Sequence, residues 1–345
     1  MKKHVLFNML LFMVIAFFSC RVEAGTGDVH KALVDGMKIL GAKHGAQSLA
    51  VLTNANYARL QGKTTEVYVD MIAEATGCSI GRRNLLFVNL RVQKDLLICL
   101  LDAVGDKCHV IRYDGLEIRA ETIAMDEKLM RERSYMRSLG QSILGEDGFG
   151  VATILGAWEK GAPYDLLKVG ELHSHICPGV IMGYIVSQAI MEHYPLADRE
   201  DYYLIGSPNE CKEDVYQVML GITPGSGKMA IKHLGEGQVE ENEKIKLMGI
   251  LLRWSPELER RIGVVLGINR DAMLAVTKLD KKMERGLKLA AIFDLIEYLP
   301  HYNDFFIALK EFPVDPGLRR KLMLAGVNPY EELGLQGGGS GVTPR

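Results

Sequence analysis

The sequence has no excess of charge of either sign and no long basic run. Its 41 Lys and Arg residues nearly balance 43 Asp and Glu residues, so the formal net charge is -2. Proteins that grip the phosphate backbone of nucleic acids carry clustered positive charge. No basic patch interleaved with aromatic residues occurs here, and the sequence therefore makes no case for nucleic-acid binding.

Long apolar runs are equally scarce. The single long one, residues 5–19, follows a basic start at Lys2 and Lys3 and precedes small residues just before Gly25. It is too short for a comfortable membrane span, and the arrangement is that of a secretory signal peptide. We therefore expect residues 1–24 to be removed and the mature protein to be exported, to the periplasm, as a soluble protein.

A second processing route is open, because Cys20 could carry the lipid of a lipoprotein. Phe17 and Phe18 are bulky where a lipid-attachment signal has Leu and a small residue. This disfavours lipidation relative to cleavage before Gly25.

Two common functional motifs are missing. The loop from Gly221 to Gly227 is followed by Lys228, but Ile222 occupies the first glycine position of a nucleotide-binding loop and Met229 follows the Lys. No Cys-x-x-Cys motif supports thiol redox chemistry, although Cys177 and Cys211 leave that weaker alternative open.

What the sequence does contain is a run of coordinating side chains. His173, His175 and Cys177 alternate just before Pro178. In an extended segment these three side chains would share one face, as a transition metal requires. A helix from Val180 to about Tyr194 is predicted to follow, which places Cys177 at a helix N-terminus where a thiolate is favoured. The alternative is a buried strand with His and Cys as packing residues.

A second set lies about thirty residues further on. Cys211, Asp214 and Gln217 are spaced at i, i+3 and i+6 and would line one stripe of a helix that begins near Cys211. We interpret this stripe as facing the His-Cys segment and closing a pocket. The alternative is an N-terminal Cys beside a solvated Asp.

An internal repeat aligns the two halves of the chain at an offset of 144 residues. Asp70 aligns with Asp214, and Gly77 aligns with Gly221. The coordinating residues are not repeated. In this alignment Val67 occupies the position of Cys211, and His173, His175 and Cys177 are matched by these residues: Val29, Lys31 and Leu33. The first half is therefore interpreted as a degenerate copy.

The two motifs together resemble a known family. The run from His173 to Gly179, followed by Gly183, is similar to one signature of the FmdE family, which is named for the operon of formylmethanofuran dehydrogenase. The second signature of that family is matched by these positions: Cys211, Asp214, Gln217, Gly221, Thr223 and Gly225. The resemblance covers roughly residues 150–255.

The resemblance implies an α+β core, a mixed or antiparallel sheet flanked by helices, that is usually dimeric and has a metal pocket at the His and Cys positions. The four-Cys zinc finger of many members is absent, because no Cys follows Cys211. The signal peptide makes participation in cytoplasmic formylmethanofuran chemistry improbable. We divide the chain as follows: signal peptide 1–24, degenerate FmdE-like repeat 25–145, FmdE-like metal-binding domain 146–255, helical C-terminal extension 256–335 and flexible tail 336–345.

We predict local structure outside these motifs from periodicity. The charged segment Glu117 to Leu144 is predicted to be helical, as is the segment from Pro256 to about Gly263. Cys99 and Cys108 flank a turn and could face each other across a hairpin, although the register of that hairpin leaves a disulfide open.

The resulting hypothesis is an exported protein that binds zinc or another divalent transition metal for metal or metallocofactor handling. His175 and Cys177 are the first-choice ligands, His173 and Cys211 complete the set, and Asp214 is a ligand or orients an imidazole. Nickel, iron and copper also suit such donors. A metal-dependent enzyme of unknown substrate is the alternative, because three protein ligands plus water would favour catalysis. Expected partners are the metal, a small molecule in the pocket and a second copy of the chain.

Overall fold

The computed structural model describes residues 25, 27–90, 95–234, 244–255, 257, 261–277 and 285–335, without the side chains of residues 285–289. The signal peptide predicted for residues 1–24, including Cys20, and the tail predicted for residues 336–345 lie outside this range. Among the described residues, no helix has both the length and the apolar character that a membrane crossing requires.

The chain forms two units, each built on its own five-stranded sheet. Of the described residues, the first unit comprises those up to Met130 and Ser134–Leu155, and the second comprises Arg131–Arg133 and those from Gly156 onward. The domain limits given above, which differ somewhat from this division, stay a prediction.

The first unit has its sheet in the order β4-β1-β5-β6-β7. Its elements are α1 (27–40), β1 (Leu49–Thr53), β2 (Arg59–Leu60), β3 (Lys63–Thr64), α2 (Val67–Thr76), β4 (Leu85–Phe87), β5 (Leu96–Asp102), β6 (Lys107–Tyr113), β7 (Ile118–Ala124), α3 (Glu127–Met130), α4 (Arg133–Leu139), a 3-10 turn (Gly145–Asp147) and α5 (Gly148–Glu159), the last reaching into the second unit. Leu33 of α1 and Ile72 of α2 pack with Val51, Ile98 and Ile111 of the sheet in the core of this unit.

The second unit has its sheet in the order β12-β11-β10-β8-β9. Its elements are α6 (Tyr164–His173), α7 (Pro178–His193), β8 (Asp201–Gly206), α8 (Lys212–Leu220), β9 (Met229–Ile231), β10 (Ile245–Trp254), β11 (Ile262–Asn269), α9 (Arg270–Thr277), α10 (Arg285–Glu297), a 3-10 segment (Leu299–Asp304), β12 (Phe306–Pro313), α11 (Pro316–Met323) and α12 (Pro329–Glu332). Leu322 of α11 and Tyr330 of α12 pack on Ile205, Leu252 and Val265 of the sheet.

The two sheets share one topology, which confirms the α+β class and the duplication. In each, the first strand in the chain pairs in parallel with the short edge strand, and every other neighbouring pair is antiparallel. The helices α2 and α8 both end at a glycine in the left-handed region, Gly77 with φ 72° and Gly221 with φ 66°. Glycine adopts this conformation without the steric cost that other residues incur.

The repeat holds at its predicted offset of 144 residues only for α2 and β4, which correspond to α8 and β9. The hairpin β2–β3 lies between β1 and α2 in the first unit, and no strand pair occurs in the fully described stretch between β8 and α8. Since α1 directly precedes β1 as α7 directly precedes β8, residues 29–33 correspond to positions within α7. The predicted equivalence of Val29, Lys31 and Leu33 with His173, His175 and Cys177 is therefore wrong.

Two helix predictions are also wrong. The segment Glu117 to Leu144 begins with strand β7 and becomes helical only in α3 and α4. Strand β7 lies at the edge of its sheet, where exposed charged side chains are tolerated. Of the segment Pro256 to Gly263, residues 256 and 258–260 lie outside the described residues, and its last two residues begin strand β11 rather than end a helix. Gly263 is needed there because an added Cβ would lie 2.3 Å from the ring of Phe312.

The C-terminal region contains helices, as predicted, and also completes the sheet. Helices α9 to α12 lie there, and β11 and β12 supply two of the five strands. The apolar residues of β11 alternate too little with polar ones for periodicity to distinguish this strand from a helix, since both of its faces are buried.

The hairpin predicted around Cys99 and Cys108 is present, without a disulfide. Cys99 is opposite Val110 and Cys108 is opposite Leu101, so the two thiols are diagonal neighbours on one face. Both are free and completely buried.

The packing of α7 on α8 depends on Gly183. A Cβ at this position would lie 2.8 Å from Val215 Cγ2 and 2.9 Å from the Cα of Lys212. We expect Gly183→Ala to lower the free energy of unfolding by about 1–3 kcal/mol because α8 must move away.

The matched control is Gly27→Ala, in helix α1, where an added Cβ meets no atom within 4 Å. This change should be neutral or stabilising, since Ala favours a helix over Gly. Guanidinium denaturation of both variants measures the difference, and equal stabilities would contradict the role of Gly183.

Candidate metal centre

The first three coordinating residues lie on the connection between α6 and α7. His173 is the last residue of α6, and Ser174 turns the chain with φ 61°. Cys177 is the extended N-cap of α7, with Pro178 in the first turn, and its sulfur accepts a 3.4 Å hydrogen bond from the backbone N–H of Val180. The helix after Cys177 is thus confirmed. The prediction that residues 173–177 form an extended segment is wrong. The end of α6 and the left-handed turn at Ser174 bring the three side chains together instead.

The fourth coordinating residue, Cys211, is the N-cap residue of α8. It can approach Cys177 because Gly179, in the first turn of α7, has no side chain. A Cβ on Gly179 would lie 3.2 Å from Cβ of Cys211, 3.5 Å from its Sγ and 3.6 Å from Sγ of Cys177. The two helix N-termini therefore meet where both thiols project.

These residues form one group, which we name the His-Cys group: His173, His175, Cys177 and Cys211. One ligand atom from each lies within 4.8 Å of the others, and all four residues are partly exposed. Two imidazole nitrogens and two sulfurs are the donor set of a tetrahedral zinc site. The group can therefore bind a metal ion.

Both imidazoles form a hydrogen bond through Nδ1, which leaves Nε2 of each ring available as a metal ligand. His173 Nδ1 is 2.7 Å from Oδ2 of Asp214, and His175 Nδ1 is 3.0 Å from the backbone oxygen of His173. Both partners are acceptors when Asp214 is ionised, so each Nδ1 carries the proton. Nε2 of His173 is buried and has no well-aligned hydrogen-bond partner, although the sulfur of Cys211 is close enough to interact with this imidazole. Two neighbouring donor atoms of this kind are what a shared metal ion requires.

Asp214 lies behind His173 and outside the group of four. It is also held by Gln217, whose Nε2 donates a 3.2 Å hydrogen bond to Oδ1 of Asp214. A carboxylate that accepts from the outer nitrogen of a ligating imidazole fixes its tautomer and raises its basicity. Of the two roles predicted for Asp214, the geometry corresponds to orientation of an imidazole.

The titratable side chains of the group shift one another's pKa values. Burial lowers the pKa of His173, but the hydrogen bond to Asp214 and the adjacent sulfur of Cys211 outweigh this and raise it to about 9. Burial and the neighbouring His173 lower the pKa of His175. The hydrogen bond that the Cys211 thiol shares with the sulfur of Cys177, together with burial, raises the pKa of Cys211 to about 12, although the neighbouring His173 imidazole acts in the opposite direction.

The pKa of Cys211 is raised although this residue, like Cys177, lies at a helix N-terminus, which by itself favours the thiolate. The effect of the helix N-terminus is smaller than the cost of placing negative charge beside a second sulfur. A bound divalent cation would lower the pKa of Cys211 instead, because it binds thiolates and displaces their protons.

One buried ion pair, in the first turn of α8, was not predicted from the sequence. Lys212 and Glu213 are almost fully buried, with Nζ 2.7 Å from Oε1, and Lys212 also donates to the backbone oxygen of Pro208. This pair anchors the first turn of α8, directly after Cys211. Its signal was the helical spacing of Lys212 with Val215 and Tyr216, which places a charged residue on a buried face.

Residues outside the group have other roles. Nε2 of His193 is 2.8 Å from Oδ1 of Asn303, and His233 is exposed. Lys228, after the rejected nucleotide loop, pairs with Asp201 at 2.7 Å.

Residues 172–262 match the family model described as FmdE, Molybdenum formylmethanofuran dehydrogenase operon. This part of the chain is an FmdE-like domain. The match includes the whole His-Cys group and Asp214, and it confirms the resemblance inferred from the two signatures. A comparison with curated proteins found no match.

We expect Asp214→Asn to weaken metal binding by the FmdE-like domain about 10–100-fold, the usual effect of losing a carboxylate that orients a ligating imidazole. Competition with a chromophoric chelator measures this affinity. Asp198→Asn, at an exposed position outside the group, is the matched control. Equal affinities for the two variants would show that Asp214 does not act through His173.

Proposed function

We propose that this chain is an exported metal-binding protein whose FmdE-like domain holds one divalent ion, zinc in the first instance, on the His-Cys group. The observation that carries this proposal is the convergence of four donor atoms, with each imidazole oriented by a hydrogen bond at Nδ1. The two sulfurs, as thiolates, would neutralise the charge of the ion.

The number of donors supports binding rather than catalysis. Catalytic zinc sites combine three protein ligands with a position for water or substrate, whereas four protein ligands close the coordination sphere. The alternative of a metal-dependent enzyme requires one of the four residues to stay unbound. Cobalt substitution distinguishes these cases, since a four-coordinate site with two thiolates and a site with a bound water differ in their visible spectra.

The position of the group supports a role in metal or metallocofactor handling. Its four residues are partly exposed and lie at helix ends or, for His175, on the connection between α6 and α7. The core of the same unit is instead an apolar cluster that includes Ile250 and Val265. The fold does not need the ion to bury its core, in contrast to zinc fingers, which unfold without metal. A site of this kind can be loaded and emptied while the protein stays folded. A homodimer and a small molecule in the pocket stay predictions.

We expect the protein, purified without chelators or affinity metals, to contain close to one equivalent of metal by elemental analysis. Cys177→Ala should lose this metal, because three donors remain. Cys78→Ala is the matched control, since Cys78 is a buried thiol whose sulfur lies near the backbone oxygen of Leu49. Metal-free wild-type protein that also takes up no zinc, nickel, iron or copper on addition would refute the proposal.

Export is expected to produce a chain that begins at Gly25. Cell fractionation with N-terminal sequencing tests this, and the control is a chain in which Val5 to Leu10 carries two Asp substitutions that break the apolar run. An acylated N-terminal Cys20 would replace cleavage after Ala24 by the lipoprotein route. An intact N-terminus on protein confined to the cytoplasm would contradict export.

A further inference from the structure

The five described cysteines fall into two classes by exposure. Three are at most 1% exposed: Cys78, Cys99 and Cys108. Cys177 and Cys211 are partly exposed, so a small oxidant in solution can reach them. Only this second pair belongs to the His-Cys group.

The two accessible thiols are also close neighbours. Cys177 forms a hydrogen bond with the side chain of Cys211, and Gly179 places no side chain between them. A disulfide requires the sulfurs to approach to about 2.05 Å. Both residues lie at N-cap positions of α7 and α8, where a side chain can rotate without breaking a bond between backbone groups of the helix. Cys211 makes no side-chain capping bond, and Cys177 would give up only the 3.4 Å bond from Val180 N–H.

We propose that Cys177 and Cys211 form a reversible disulfide, and that this oxidation empties the metal site. The inference rests on the proposed metal-binding function and names its regulation. Two of the four donors become one disulfide, whose sulfurs are poor ligands for a divalent ion. The remaining pair, His173 and His175, cannot hold the ion with comparable affinity.

The oxidant is a low-molecular-weight disulfide such as oxidised glutathione. One protein sulfur attacks a sulfur of glutathione disulfide, forming a mixed disulfide and releasing one glutathione. The second protein sulfur then attacks the mixed disulfide at the protein sulfur and releases the other glutathione. The two protein sulfurs lose two electrons, the glutathione disulfide gains them, and any protons on the protein thiols leave with the two glutathione molecules.

A second pair of neighbouring thiols, Cys99 and Cys108, provides an internal control for the effect of access. Cys99 and Cys108 are also in hydrogen-bond contact, yet they are fully buried in the hairpin β5–β6. Proximity alone would oxidise both pairs equally. Proximity combined with access selects Cys177 and Cys211.

The test uses the purified protein, reduced and loaded with zinc, in glutathione buffers of increasing oxidation. Free thiols are alkylated, the linkage is mapped by peptide mass spectrometry, and zinc is counted with a chromophoric chelator. We expect a Cys177–Cys211 link, with Cys99 and Cys108 still reduced, and loss of at least nine-tenths of the zinc from the linked fraction. Reduction should restore both thiols and zinc uptake.

Cys211→Ser keeps one accessible thiol, and circular dichroism establishes whether this variant is folded. It should form only the mixed disulfide with glutathione. In the wild-type protein, a stable mixed disulfide without a link, or a link that leaves zinc bound, would overturn this inference while metal binding by the reduced protein stands. Reduced protein that binds no zinc would instead refute the proposed function, and this regulation with it.

Discussion

The close approach of two helix N-termini, those of α7 and α8, is the constraint on which the His-Cys group depends. Gly179 and Gly183 lie on the side of α7 that faces α8, and a methyl group at either would meet atoms of Cys211 or Lys212 at 3.2 Å or less. Glycine is usually costly inside a helix, so its presence twice in one helix indicates a packing requirement. Here the requirement is contact between the elements that carry the two sulfurs.

The two imidazoles of the group are oriented by hydrogen bonds. His173 is bonded to Asp214 of α8, and His175 is bonded to the backbone oxygen of His173. Asp214 lies one turn after Cys211 on α8 and accepts from His173 on α6, so one helix supplies a sulfur and also orients an imidazole. The buried pair Lys212–Glu213 holds the first turn of the same helix. A buried ion pair is weak evidence for stability, but removing one partner is costly, so it fixes the position of this turn.

Duplication explains why the first unit has the fold of the second unit without its His and Cys donors. Both units have the same strand order, and the corresponding helices α2 and α8 each end at a glycine in the left-handed region, Gly77 and Gly221. Among the described residues, the grouped His and Cys donors lie in the second unit. A sheet with its helices is stabilised by apolar packing, which tolerates loss of ligands, whereas a metal site depends on each donor. The fold can therefore persist in a copy without the site.

The sequence by itself determined the residue types of the site, the helix after Cys177, the second helix at Cys211 and the α+β class, because these follow from spacing and capping along a short segment. Only the tertiary structure decided how His173, His175 and Cys177 converge, since the end of α6 and the turn at Ser174 replace the expected strand. It also decided that Asp214 orients His173 and that β11 and β12 complete the sheet. These features depend on contacts between residues far apart in the chain, such as the 41 residues from His173 to Asp214. Local periodicity carries no information on such contacts.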